Sequence, residues 1–289
     1  MAMRFFRLVL ALLLAAPALA APAMWVVEGG QLNGRGHITL YGTVHALPPG
    51  QDWFSPAART AFTAADLLVV EVADSGDPAV MAAAVQRTGL LPDALPLASR
   101  LPPALRPALA QILGSLGLSA DSLDRLKTWL AAISLLAADL ARSGIDPAAG
   151  VDRSLIGMAV AAGKPVTGLE TAEYQLGLFD ALPETEQRLL LRSTVSDAGA
   201  AQEEIRALLK AWLAGDVERI RVEFDDGSLS AELEAALLTR RNAAWADWVA
   251  ARRDQPGQVF VAVGAAHLAG PGSLIALLQA RGLTVRRVE

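Results

Sequence analysis

Two apolar runs near opposite ends of this chain stop in the same way. Ile38-Thr39-Leu40-Tyr41 leads into Gly42-Thr43-Val44-His45, and Val259-Phe260-Val261-Ala262-Val263 leads into Gly264-Ala265-Ala266-His267. With 24 glycines in 289 residues and three histidines, two histidines falling three places after a glycine is roughly a two per cent event by composition alone. The pattern restricts the fold. A strand ends, a glycine lets the backbone turn tightly, and a side chain able to ligate metal or carry a proton stands at the strand's carboxyl edge. In open α/β sheets that edge is where ligands bind. Two such histidines, far apart in sequence, are expected at one shared site.

The surrounding segments supply the rest of a sheet. Trp25 to Glu28 and His37 to Tyr41 read as a hairpin around a glycine-rich turn (Gly29, Gly30, Gly34, Gly36). After a short helix near Pro56 to Ala65, Leu67-Leu68-Val69-Val70-Glu71-Val72 has the nearly continuous apolar character of a parallel strand buried on both faces. Lys164 to Glu170 is a further strand. Beyond His267, Gly272 to Ala280 reads as helix and Leu283 to Val288 as a closing strand. Strand, Gly-x-x-His, helix, strand thus occurs twice, which predicts an α/β fold with a mixed central sheet built from two related halves. Between them lies a large helical insertion, about 78–163 and 180–253. Its expected helices are Pro102 to Leu113, Ala120 to Arg142, Pro147 to Ala162, Glu184 to Arg192, Ala200 to Ala214 and Ser230 to Arg252.

Residues 1–20 read as a signal peptide rather than fold. Arg4 and Arg7 are the positive region, Leu8 to Ala16 the apolar one, and Ala18-Leu19-Ala20 a small-x-small cleavage site. No later segment is long and apolar enough to span a bilayer, so 21–289 is expected to form one exported α/β domain, periplasmic or secreted, without a stable membrane anchor. The formal charge is −5. Loss of Arg4 and Arg7 makes it more negative still, which argues against nucleic acid as a partner. There is no cysteine, so a metal site must use histidine nitrogen and carboxylate or carbonyl oxygen.

Four residues share the address of a strand end: His45, Glu71, Glu170 and His267. Glu71 interrupts an apolar run with no nearby lysine or arginine, and such a carboxylate is paired, bound to metal or shifted in pKa unless the strand simply reaches solvent there. Either histidine alone could be a turn residue bonded to backbone, and Glu170 could serve a helix N-terminus. His37 lacks the glycine frame and reads as an ordinary strand residue. Arg240-Arg241-Asn242 lies within a long expected helix. Such a pair is usually a solvated face, but a guanidinium directed inward could bind a carboxylate or an oxyanion. Trp129, Trp212, Trp245 and Trp248 read as core or cleft wall.

These stretches resemble the TraB/GumN family. Leu40 to His45 with Ala65 to Glu71 resembles its opening motif. Gly150-Val151-Asp152, Gly163 to Thr171 and Arg241-Asn242 resemble its middle motifs, and Val263 to Pro271 its closing one. The family is similar to the Tiki metalloproteases and more distantly to ChaN-like haem binders and erythromycin esterases. By that resemblance His45, Glu71 and His267 are expected to hold a divalent metal (Mn²⁺, Co²⁺ or Zn²⁺) in a hydrolase, most simply a peptidase acting on a peptide or small-molecule substrate. Glu170 would be ligand or general base, with Arg241 and Asn242 assisting. Two alternatives stand beside it: a non-catalytic metal or haem binding protein, and a metal-free esterase-like hydrolase with His45 as base.

Overall fold

The computed structural model describes residues 21–28, 36–196, 200–224 and 231–289. The expected signal peptide, Gly29, Gly30 and Gly34 of the hairpin turn, and Ser230 lie outside them. Six strands form one mixed sheet: β1 (Met24–Glu28), β2 (Gly36–Thr43), β3 (Leu67–Val72), β4 (Val166–Glu170), β5 (Gly257–Gly264) and β6 (Thr284–Arg287), in the order β4-β3-β5-β2-β1-β6. β2, β5, β3 and β4 are parallel neighbours, and β1 is antiparallel to both β2 and β6. Thr43 therefore pairs with Gly264, and the carboxyl ends of four parallel strands meet at one edge. Both Gly-x-x-His frames sit there, as their common grammar requires. The halves diverge at the last step, because β3 joins the parallel core while β6 closes the far side against β1.

Helices cover both faces. On one, Leu68, Val70, Tyr41, Phe260 and Ala262 pack against Pro56–Ala64, Val151–Ala161 and Trp212 of Ala200–Leu213. On the other, Val69, Ile38, Leu40, Val259, Val261 and Val263 pack against Arg240–Arg253 and Leu274–Ala280. The alternation of adjacent residues between these clusters is the period-two signature of strands buried on both sides. A third apolar cluster, centred on Leu97, Leu113, Leu135 and Leu191, belongs to the helical insertion.

Two expected helices need correction. The helix expected over Ala120 to Arg142 begins at Thr128. Its first segment is a series of turns, because tertiary partners take groups that a helix would need: the Asp124 and Leu126 carbonyls accept from the Arg100 guanidinium, and Leu126 bridges Leu90. The helix expected over Ser230 to Arg252 contains a π-helical turn, Ala235–Thr239, before Arg240–Arg253. Local periodicity does not reveal such an inserted turn, yet it sets the angle at which the next residues leave the helix.

Candidate active site

The site starts from Glu71. Its position in β3 puts its side chain on the face covered by Arg240–Arg253, and it is 4% exposed. Nothing on its own strand neutralises it; the partners come from elsewhere. Arg241 Nη2 donates to Glu71 Oε2 at 2.5 Å, Gln175 Nε2 donates to the same oxygen at 2.9 Å, and the Gly264 N–H donates to Oε1 at 2.8 Å. Arg241 is the hub. Its Nε reaches both oxygens of Glu170 at 2.8 and 3.1 Å, and Nη1 donates to the Leu237 carbonyl at 2.8 Å. That last acceptor lies in the π turn, which ties Arg241's geometry to the irregular backbone before it. Glu170 also accepts from Trp245 Nε1 at 3.1 Å, and the guanidinium lies 4.7 Å from the Trp245 ring centre. Arg241, Glu71 and Glu170 are thus one buried charge network. The alternative that Glu170 serves a helix N-terminus does not hold, since Thr171 is the cap of Ala172–Asp180.

The two histidines differ sharply. His267 is 4% exposed and lies against Trp245, with ring centres 4.4 Å apart and the rings tilted at 46°. Asn242 Nδ2 donates to the Gly272 carbonyl at 2.9 Å, which fixes the amide so that Oδ1 faces His267 Nδ1 at 2.6 Å. His267 therefore carries its proton on Nδ1, and Nε2 accepts from Arg241 Nη1 at 3.0 Å. His45 stands at the mouth with its side chain 69% exposed. Its Nδ1 donates to Asp152 Oδ2 at 2.8 Å, while Asp152 Oδ1 accepts from Thr43 Oγ1 at 2.7 Å. Backbone packing delivers Asp152: the Val151 N–H donates to the Val44 carbonyl at 2.9 Å, and a Cβ on Gly150 would collide with the His45 carbonyl. Only glycine permits that approach.

With Nδ1 held by Asp152, His45 Nε2 faces the strand edge. A Cβ built on Gly264 would lie 3.2 Å from Glu71 Oε1, 3.5 Å from His267 Cδ2 and 3.7 Å from His45 Nε2. The three expected metal ligands therefore surround one point.

Electrostatics separate them. The Asp152 carboxylate raises the His45 pKa to about 9, with Glu71 a lesser help and Arg241 opposing. Solvent around an exposed ring screens part of that attraction. Burial, with Arg241 nearby, lowers His267 to about 4 despite Glu71, so it is neutral at pH 7. Burial also opposes ionisation of Glu71. Opposing it are His267, His45, Arg241 and the Gly264 N–H, which together bring its pKa down to about 2. Because His267 is neutral at pH 7, the buried positive charge opposite Glu71 there is Arg241. Burial pushes Glu170 upward against the pull of Arg241.

The donor set does not fit a resident metal ion as it stands. His267 Nε2 and Glu71 Oε2 are both bonded to the Arg241 guanidinium, and Glu71 Oε1 to a backbone N–H. A cation already bridges the groups that would have to hold one. Among the described residues, no three His, Asp or Glu side chains are grouped to hold an ion.

All six residues singled out in the sequence meet here: His45, Glu71, Glu170, Arg241, Asn242 and His267. Sequence reasoning assigned no role to Asp152, Thr43 or Gln175. Asp152 carried a weak signal, as an acid in the first turn of an apolar helix that opens after Gly150; Gln175 carried none.

An α/β protein with a polar network at the carboxyl edge of its parallel strands is the class that fold and site define. The chain belongs to the TraB/PrgY/gumN family, whose profile matches residues 23–287. It is similar to the uncharacterized protein YbaP of Escherichia coli (strain K12), at 27% identity over 255 residues covering 88% of this chain and 92% of the relative. It is also similar to an uncharacterized protein of Treponema pallidum (strain Nichols), at 25% identity over 277 residues covering 90% and 80%. No solved structure matches it.

Proposed function

We propose that this protein is an exported hydrolase in which His45 is the general base, acting on a peptide bond or a related carboxylic acid derivative. One observation carries the reading. His45 Nε2 faces the shared point at the strand edge, its other nitrogen is clamped by a carboxylate, and no hydrogen-bond partner holds it among the described residues. The clamp supplies the orientation that water activation requires, and the base form appears as pH rises through the raised His45 pKa. In the reaction, Nε2 takes a proton from water as the water oxygen attacks the substrate carbonyl. Asp152 stabilises the resulting imidazolium, which returns the proton to the leaving group. Arg241 uses four of its five N–H bonds on Glu170, Leu237, His267 and Glu71, leaving one on Nη2 for a developing oxyanion. Glu71 and Glu170 hold that hub in place, and Asn242 fixes the His267 ring that accepts from it.

A divalent ion among His45, Glu71 and His267 is the second reading, favoured by their convergence beside Gly264 and by the carboxylate behind His45, an arrangement common to metal-bound imidazoles. It requires Arg241 to leave its position. Chelation separates the two. Purified mature chain is assayed on peptide and ester panels with and without excess chelator, and its metal content is measured. Hydrolysis unchanged by chelator supports His45 as base. Hydrolysis lost to chelator and restored by Mn²⁺, Co²⁺ or Zn²⁺ transfers the lead to the metal. Tight metal or haem binding without turnover makes the chain a binding protein.

A further inference from the structure

A separate cavity, mainly apolar in surface but ringed by arginines, lies in the helical insertion and shares no residue with the site above. It has a volume of about 310 Å³, and Arg100, Arg188, Arg192 and Thr185 line it beside Leu101 and Pro102. No acidic residue lines it.

The arginines are not equivalent. Arg100 is 2% exposed, and every acceptor it has is a neutral carbonyl: Nη1 donates to Leu126 at 2.6 Å, and Nη2 donates to Leu95 at 2.6 Å and Asp124 at 2.8 Å. Its Nε–H is buried with no hydrogen-bond partner. Glu184 and Asp124 lie near enough to favour the charge, but among the described residues no carboxylate oxygen is hydrogen-bonded to the guanidinium. The nearby carboxylates are engaged elsewhere. Glu184 Oε1 accepts from Arg188 Nε at 2.8 Å and from Thr128 Oγ1 at 2.9 Å, and Asp124 Oδ1 accepts from the Leu97 N–H at 2.8 Å. Arg192 lies one helical turn beyond Arg188, and no ion pair or side-chain hydrogen bond is recorded for it among the described residues. Like charges at that spacing repel by a few tenths of a kcal/mol, so the wall is positive on balance.

We propose that this cavity binds a phosphoryl-type oxyanion. Guanidinium forks match the oxygens of a phosphate in parallel pairs of hydrogen bonds. The exposed fork of Arg192, the N–H groups that Arg188 does not spend on Glu184 and the Arg100 carbonyl, and a buried cation behind them suit a dianion with three or more acceptor oxygens better than a carboxylate with two. Leu101 and Pro102 offer apolar surface to whatever carries the phosphoryl group. The proposal is independent of the chemistry at His45.

Calorimetric titration of the mature chain with inorganic phosphate tests it, with glycerol phosphate as the phosphomonoester and with acetate and chloride at matched ionic strength. Saturable phosphate binding is expected, weakened about tenfold or more by Arg192→Ala and by Arg188→Gln. Arg192→Lys, which keeps the charge but not the fork, should fall between. Arg206→Gln, on another helix and paired with Glu203, should change nothing. Glycerol phosphate binding much more tightly than phosphate identifies an organic phosphate as the ligand; equal affinities identify the free ion. Folding of each variant is checked by circular dichroism. An equal response to acetate and phosphate, or folded Arg192 and Arg188 variants that bind as wild type does, would overturn the proposal.

Discussion

His45 and His267 occupy the same place in the same local motif on paired strands, yet the protein puts them to opposite uses. One follows Thr43 and the other Gly264, which face each other across β2 and β5. Beyond the glycine, everything differs. His45 emerges at the surface with Asp152 behind it; His267 turns inward, with the amide of Asn242 behind it and Arg241 in front. A carboxylate partner favours imidazolium, whereas a neutral amide in a buried setting favours imidazole. Their pKa values move in opposite directions, to about 9 and about 4. When neighbouring titratable groups are driven apart in this way, one is fitted to exchange a proton and the other to stay fixed. Under the proposed function, His45 is the partner that exchanges a proton and His267 the one that stays neutral.

The most direct attempt to break that contrast is to remove each ring. His45→Gln should lower turnover by about 10²- to 10⁴-fold while leaving the chain folded, because the ring is exposed. Next in size, read as stability, is Arg241→Leu. It leaves Glu71 and Glu170 buried without their cation and should cost about 3–5 kcal/mol in denaturant unfolding. An Arg241→Leu protein as stable as wild type would mean the network is not the floor of the site. Smaller again is the pH response of stability due to His267. Its folded pKa is depressed, so the unfolded chain binds the proton first, and stability should fall as pH drops from 6.5 toward 4. His267→Gln should flatten that slope between pH 6.5 and 5, above the range where most carboxylates titrate. An unchanged slope would show that His267 is not held neutral.

How much of this was legible in the sequence follows from what each residue depends on. β3 was visible because Leu67 to Val72 is apolar on both faces, and the apolar run made Glu71 conspicuous. The pairing of the two histidine frames followed from strand ends sharing an edge. Asp152 drew only a motif match, since an acid in the first turn of a helix is ordinary; its role depends on the approach of Gly150 to His45, a contact between segments about a hundred residues apart. Gln175 had no mark at all. Arg241 was visible as a candidate, but not as a hub bonded at once to Glu71, Glu170 and His267. That depends on the π turn at Ala235–Thr239, a backbone register that composition does not record. The turns at Ala120 to Leu126 were misread as helix for a related reason, because the partners of their carbonyls come from Arg100.

Asp152→Asn offers the finest test, because it gives His45 the kind of partner His267 has. In the wild type, the carboxylate holds the His45 pKa above its ordinary 6.5, up to about 9. The free base needed for catalysis therefore forms only as pH rises through that range, and activity should climb on an acid limb above neutrality. An asparagine removes the charge that favours imidazolium, so the limb should move to lower pH, by about one unit given the solvent exposure of the ring. The plateau should fall by about tenfold, since a neutral partner stabilises the imidazolium formed during proton transfer less well. Stability supplies an independent check of the same sign. A histidine with a raised folded pKa contributes stability that is complete below pH 6.5 and is lost as pH rises through the folded value. The wild type should therefore weaken between pH 6.5 and 9, and Asp152→Asn should weaken less over that window. If the acid limb stays in place in Asp152→Asn, the group titrating in turnover is not His45, and the assignment of the base must move to another residue.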